Sequence, residues 1–300
     1  RRQRQMCIRD STKGVPEEVT QAMEAKYGLD QPMPVQFVKY LGSLLHGDFG
    51  PSYKYTGKTV NDFIATGAPV SAKLGLVTLV FVLLTSIPMG ILAALKNGKW
   101  QDMLLMAIAT IGVTIPSFVI ASMLIYVFSF KLNVLPTFGL DSWKSYILPV
   151  IAMGGYSVSY LARLMRSSLL EVMGQDYIRT ARAKGLTEFA VVTKHALRNA
   201  LIPVITVIGM QLATIFGGSI IVESIYSIPG MGVLLLTAIN SRDYTTIQGT
   251  VLVLSLAVCV INLLVDIAYA MADPRIKAQY VRIKKKKAKP QLAAAGGRGD

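Results

Sequence analysis

The chain has 300 residues, of which 52% are hydrophobic and only 16% charged, and its formal net charge is +14. Soluble domains carry roughly 25% charged residues. A chain this poor in charge cannot clothe a water-facing surface, which excludes an ordinary soluble enzyme, a disordered tail protein and a collagen-like fibre. Its two cysteines, Cys7 and Cys259, exclude a disulfide scaffold and a Cys-based zinc ribbon. Cys259 lies in a long apolar run and reads as a small buried hydrophobe.

The first ten residues are basic and without pattern. Pro16-Glu17-Glu18 then opens a short helix that Gly28-Leu29-Asp30-Gln31-Pro32 breaks. Val35–Leu45 reads as a second, amphipathic helix, ended by Gly47-Asp48-Phe49-Gly50-Pro51. Gly57-Lys58-Thr59 looks like the end of a phosphate-binding loop. However, Ser52 stands where that loop needs a glycine, and the strand and helix context is missing, so the better reading is a surface turn.

Five stretches are long and apolar enough to cross about 30 Å of hydrocarbon as helices. They run approximately Ala72–Leu95, Met103–Phe130, Tyr146–Met165, Leu201–Val222 and Ile247–Ala272. The third is the weakest, because Gly154, Gly155, Ser157 and Ser159 dilute it, and it also reads as a buried or re-entrant helix. Pro88, Pro116 and Pro203 are read as kinks within or at the edge of these runs.

Orientation follows from the basic residues. One set of connections holds Lys96 and Lys99, then Arg163, Arg166, Arg179, Arg182, Lys184, Lys194 and Arg198, then the tail with its Lys284–Lys287 run. The alternate connections hold only Lys131, Lys144 and Arg242. The rich side should be cytoplasmic, so the +14 is mainly a topology signal and the Lys run a solvated tail near anionic lipid, with no nucleic-acid partner. The same count puts the N-terminal segment outside, which predicts a sixth membrane helix upstream of Arg1. The expected organisation is a start at 1–11 that need not be native, an extracytoplasmic segment 12–71, a transmembrane domain 72–272 with a cytoplasmic loop 167–200, and a basic cytoplasmic tail 273–300.

Chemistry is sparse. His46 and His195 fall on opposite sides of the membrane in this topology and cannot share a metal site, and no hydrolase, zincin or dinucleotide motif occurs. No catalytic or metal-binding residue is assigned. Asp266 reads as an interfacial ion-pair partner near Arg275 and Lys277 more than as a proton relay. Gln211, Glu223 and Asn262, with the Pro229-Gly230 turn, are the candidates for a pathway or outer vestibule, against readings as interhelical hydrogen bonds and a plain turn.

The loop 167–200 is the informative segment. Met173, Tyr177, Ala181 and Gly185 form a helical stripe, with Gly185 as a left-handed cap after Arg182 and Lys184. Thr187 can N-cap a second helix with Glu188 at its start, on which Phe189, Val192, Ala196 and Ala200 share a face. The pattern predicts two short helices with a glycine hinge and a small-residue tip, which suits either a docking prong or a helical hairpin on the lipid surface.

Ala181-Arg182-Ala183-Lys184-Gly185-Leu186, with Ile202-Pro203 downstream, resembles the signature loop of bacterial ABC-importer permeases. So do Tyr177-Ile178-Arg179-Thr180, His195–Ala200, Leu29–Pro32, Gly47–Gly50, Ser227–Gly232 and Arg242-Asp243-Tyr244, over residues 27–277. The likeness is greatest to the first permease of the dipeptide/oligopeptide and nickel branch. Arg179-Thr180 departs from the Glu-Ala of other permeases.

The resemblance implies an all-α polytopic membrane protein with the type I ABC-importer permease fold. It implies a di- or oligopeptide importer of the bacterial or archaeal inner membrane, with a nickel or glutathione importer as alternatives and a proton-coupled secondary transporter as the rival from another class. A paralogous second permease, two ATP-binding subunits holding ATP and Mg, and an extracytoplasmic substrate-binding protein are its implied partners. Ala181, Arg182, Ala183, Lys184, Gly185, Leu186, Thr187, Glu188 and Phe189 are implied to form the element that meets an ATPase.

Overall fold

A computed structural model describes residue 24 and residues 31–272, apart from the side chains of a few residues within the last helices. The predicted helix opening at Pro16, the Leu29-Asp30 pair, the basic tail and the Asp266 side chain lie outside the described residues. Among the described residues the chain is helical, and its only β pairing is an isolated bridge between Pro51 and Thr59.

Helix α1 (Met33–Leu45) starts with Pro34 just inside, where a missing N–H costs nothing. It ends in the Gly47 turn, whose φ of +74° favours glycine. Helix α2 (Val60–Leu95) begins well ahead of the apolar run that predicted it. Asp62 caps that start: its Oδ2 accepts from the Thr59 N–H and hydroxyl at 2.9 and 2.8 Å. Hydrophobicity marks where a helix meets lipid, not where it begins.

Predicted as one span, Met103–Phe130 is instead broken. Helix α3 (Trp100–Thr114) ends at Ile115-Pro116, and helix α4 (Ser117–Leu124) follows a sharp bend and runs into a π-turn at Ile125–Lys131. Pro116 sits at φ −58°, ψ 143°, outside helical space, so it stops the helix where the sequence suggested a kink.

A 3₁₀ turn (Trp143–Tyr146) leads into helix α5 (Ile147–Met173). This weakest of the predicted spans is the most enclosed: 61% of its apolar window is buried, against 11% for the last span. The small residues that dilute its hydropathy are the reason, because they let neighbouring helices approach. A Cβ at Gly154 would lie 3.0–3.2 Å from Phe81 and Val82 of α2.

Helix α6 (Asp176–Ala183) and the short α7 (Glu188–Ala190) come next. A second π-turn (Val191–Ala196) then joins α7 to helix α8 (Leu197–Ile225). Pro203 lies inside α8. Helix α9 (Met231–Ser241), which the sequence did not reveal, precedes helix α10 (Tyr244–Ala272). Cys259 is exposed, not buried: α10 turns most of its apolar residues outward.

The chain divides into two compact units. The first holds the described residues up to Leu84, with Ile111–Val158 and Thr214–Val258. Its core includes Leu74, Val82, Leu148, Tyr226 and Ile228. The second holds Thr85–Thr110, Ser159–Ala213 and the described residues from Cys259. Its core includes Leu161, Met165, Leu169, Ile178, Val191 and Ala200.

A candidate coupling hairpin and the family it belongs to

The segment between Ser168 and Ala200, within the second unit, folds back on itself as a nested hairpin. At the root, the buried Ser168 hydroxyl donates to the Ala200 carbonyl at 2.8 Å. Midway, the Asn199 side-chain amide donates to the Tyr177 hydroxyl at 2.9 Å. Near the tip, Arg182 Nε and Nη2 donate to the two Glu188 carboxylate oxygens at 2.7 and 3.3 Å. Between these links Ile178 and Ala181 of α6 are buried, as are Val191, Val192 and Ala196 of the facing π-turn.

The turn at the tip is built as the residues predict. Helix α6 ends with Gly185 N–H on the Arg182 carbonyl at 2.9 Å, and Gly185 takes φ +77°. Thr187 then caps α7, its hydroxyl accepting from the Ala190 N–H at 3.4 Å. Two expectations need correction. The stripe from Met173 to Gly185 is interrupted, because α5 stops at Met173 and a turn at Gly174-Gln175 re-aims the chain before α6. The second arm is no separate short helix, since α7 passes through the π-turn into α8.

Of the residues assigned to this element, Arg182, Ala183, Lys184, Gly185, Leu186, Thr187, Glu188 and Phe189 are exposed, while Ala181 is packed inside the hairpin. Phe189 is 79% exposed, whereas Val192, Ala196 and Ala200, with which it was expected to share a face, are buried. A Cβ at Gly185 would meet nothing within 4 Å.

The root of the hairpin is held by a charge cluster that the sequence did not announce. Arg166 of α5 makes a bidentate pair with Asp102 at 2.6 Å for both bonds, and its Nη2 also donates to Asn97 Oδ1 at 2.8 Å. Asp102 further accepts from the Gly98 N–H at 3.0 Å. Nearby, a Cβ on Gly90 would lie 2.6 Å from both the Ala162 carbonyl oxygen and Met165 Cβ. The end of α2, the 97–102 turn and the foot of α5 therefore share one packed joint.

The candidate pathway residues are divided between the two units. Gln211 is buried and Asn262 half-buried in the second unit. Glu223, Pro229 and Gly230 belong to the first unit. There Glu223 is fully buried, accepting from the Ser71 hydroxyl at 2.6 Å and from the Gly232 N–H at 2.7 Å. Ser71 in turn accepts from the Met231 N–H at 2.8 Å. Pro229 and Gly230 line a cavity of about 370 Å³, with Tyr55, Lys58, Phe63 and Leu234. Buried Asp243 was also missed as a junction: it accepts from Ser52 Oγ, from Tyr53 N–H at 3.0 Å, and from the Thr246 N–H and hydroxyl at 3.2 and 2.8 Å. Its place just before α10 is an N-cap signal that could have found it. Among the described residues no group of His, Cys, Asp or Glu could hold a metal ion.

Residues 86–278 match the family described as binding-protein-dependent transport system inner membrane component. The chain belongs to this family. The dipeptide transport system permease protein DppB of Bacillus subtilis (strain 168) is 43% identical over 265 residues, covering 88% of this chain and 86% of that protein. The glutathione transport system permease protein GsiC of Escherichia coli (strain K12) is 42% identical over 260 residues, covering 87% and 85%. Among solved structures, a chain of the inward-facing MetNI methionine ABC transporter superposes with a TM-score of 0.61 at 19% identity, over 70% of this chain and 96% of that one. A chain of an amino acid ABC transporter gives 0.55 at 15% identity, over 70% and 94%. The protein is thus an ABC-importer permease subunit with the type I importer fold, an inner membrane component related to dipeptide and glutathione permeases.

Proposed function

We propose that this permease admits di- and oligopeptides and couples their passage to ATP hydrolysis through the hairpin 168–200. Its identity to a dipeptide permease supports the substrate class, and similar identity to glutathione permeases keeps a short thiol peptide within it. A paralogous second permease completes the pathway, two ATP-binding subunits hold ATP and Mg, and an extracytoplasmic binding protein delivers the peptide. The hairpin and the C-terminal tail lie in the cytoplasm, where the basic residues concentrate.

The observation that carries this reading is the three-level bracing of the hairpin. A lever must be stiff, and this one is pinned at root, middle and tip while exposing Arg182–Phe189 as a contact surface. When the ATP-binding subunits close, they displace the tip, and the bracing passes the displacement to α5 and α8. Pro229 and Gly230 border the outer cavity, and Gln211, Glu223 and Asn262 serve helix packing beside the pathway.

The test is ATP-driven uptake of labelled dipeptide, glutathione and chelated nickel by the reconstituted importer. Dipeptide uptake is expected, and Gly185→Asp is expected to abolish it while leaving the subunit in the membrane and ATP turnover running. Normal transport by that variant, or uptake that persists without the ATP-binding subunits, would sink the proposal.

A further inference from the structure

Beside the start of α5 lies a cavity of about 400 Å³, walled by Lys73 and Val77 of α2, Asp141 in the preceding loop, and Trp143 and Tyr146 of the 3₁₀ turn. The loop side of this wall is fixed. Gly139 N–H donates to the carbonyl of buried Tyr226 at 3.0 Å, and the Ser142 and Ser145 hydroxyls lie 3.1 Å apart. Lys73 Nζ stands 5.2 Å from the centre of the Tyr146 ring, a cation–π distance. Lys73 and Asp141 are both exposed, and neither closes an ion pair with the other or with any other described residue. A cavity that holds an unpaired cation and an unpaired carboxylate suits a ligand carrying both charges.

Helix α2 sets the level of this cavity. Lys73 is the last charged residue of that helix, and the uncharged stretch Leu74–Leu95 that follows measures about 33 Å, enough to cross the hydrocarbon. Lys73 thus marks the boundary between hydrocarbon and headgroups, where a lysine stem lies against lipid and its ammonium reaches the polar layer. The 3₁₀ turn carries the aromatic residues typical of that layer: Trp143 is 73% exposed, with Lys144 Nζ 5.9 Å from its ring centre. Lys73, Val77, Val80 and Leu84 fall in one arc of about 60°. The three apolar members of this stripe are 37, 49 and 72% exposed. From Lys73 to Leu84 the helix rises about 16 Å, close to one leaflet of hydrocarbon.

We infer that this cavity binds the headgroup of an amine-bearing phospholipid, of the phosphatidylethanolamine class, with an acyl chain along the stripe from Val77 to Leu84. Lys73, next to the hydrocarbon, meets the phosphate, and Asp141, in the loop that precedes the membrane part of α5, meets the primary ammonium. In such a lipid the phosphate is likewise the inner charge and the amine the outer one. An apolar helix of another protein would cover the stripe and leave the two charges at its head unanswered. A zwitterionic peptide would answer the charges and leave the stripe bare at hydrocarbon depth. One phospholipid molecule satisfies both. The site is independent of which peptide the importer carries.

The test uses the complete importer in detergent, offered phosphatidylethanolamine or phosphatidylglycerol, with retained lipid counted by native mass spectrometry. Wild type should hold phosphatidylethanolamine roughly fivefold better than phosphatidylglycerol, which has the phosphate without the amine. Lys73→Gln should weaken both lipids, whereas Asp141→Asn should weaken the first alone and so abolish the preference. Equal retention of the two lipids by wild type, or retention unchanged in either variant, overturns the inference. Glycerophosphoethanolamine, the same headgroup without chains, should compete only at far higher concentration. Competition at equal potency would make a soluble zwitterion the ligand and overturns the lipid assignment, as does displacement of the lipid by excess dipeptide. A photocrosslinker at position 77 decides the matter even where the charge variants fail to assemble. An adduct with phosphatidylethanolamine supports the assignment, and capture of the second permease in its place overturns it.

Discussion

Arg182 and Glu188 face each other across Gly185, guanidinium to carboxylate, with 2.7 Å between Nε and Oε1. Both side chains are substantially exposed, so the pair adds little to stability, about 0–1 kcal/mol. Its effect is on shape, since it closes the tip of the hairpin. Arg182→Ala and Glu188→Ala are each expected to lower ATP-driven uptake several-fold with unchanged membrane levels of the subunit. Equal uptake by wild type and both variants would show that the clasp does not matter.

Gly185 separates backbone cost from surface cost. A Cβ there meets open space, so what an alanine loses is the left-handed conformation, about 1 kcal/mol. Asparagine visits that region more readily than alanine. Uptake should therefore rank Gly185→Asn above Gly185→Ala, with Gly185→Asp lowest because it sets a charge on the tip. Transport assays on the three variants at matched expression check the order.

Gly230 is constrained by contact. A Cβ would come 2.4 Å from Ser71 Oγ and 2.5 Å from Glu223 Oε2. Gly230→Ala should destabilise the subunit by about 1–3 kcal/mol through overpacking. Ser71→Ala should cost a similar amount, because it strips a donor from a buried carboxylate. Thermal unfolding in detergent measures both, and a melting curve like that of wild type would contradict the contact.

Asp102 and Arg166 form a pair whose carboxylate is almost fully covered. Removing one partner of such a pair typically costs about 3–5 kcal/mol. Arg166→Ala should thus lower thermal stability well beyond Arg182→Ala, although each deletes one arginine of one ion pair. Arg166→Lys should recover only part of the loss, because an ammonium cannot make the two-pronged contact.

Tyr53 gives a pH signature outside the membrane spans. Burial, then the negative charge of Asp243, raises its phenol above 10.0. The folded state thus favours the neutral form. The associated stability is complete below about pH 10 and is lost as pH rises through the folded value. Spectrophotometric titration should show a late tyrosinate that disappears in Tyr53→Phe.

The hairpin was legible because its signals are local. Gly185 after two basic residues, and Thr187 followed by Glu188, each fix backbone geometry within a few residues, and both act as read. The spans were legible as lipid-facing surface, which is why α2 seemed to start near Ala72 although Asp62 caps it at Val60. The rank of α5 was misread for the same reason. Gly154 and Ser157 look weak on a hydropathy scale built on lipid, yet they suit a helix whose neighbours are helices. Pairs such as Ser71 with Glu223, or Asp102 with Arg166, join residues far apart in sequence. Glu223 and Arg166 stand out singly, but nothing nearby marks the partner of either, so only the fold brings the pairs into view.

The π-turn at Val191–Ala196 has an implication for how this arm can vary. Such a turn holds one residue more than an α-helical one. The extra residue is taken up inside the turn, so excising one there would let the helix rewind to ordinary pitch with the hairpin side and the membrane portion both close to their present register. One codon could thus be lost at this turn with the aim of the prong kept, whereas the same loss in the regular part of α8 would swing it by about 100°.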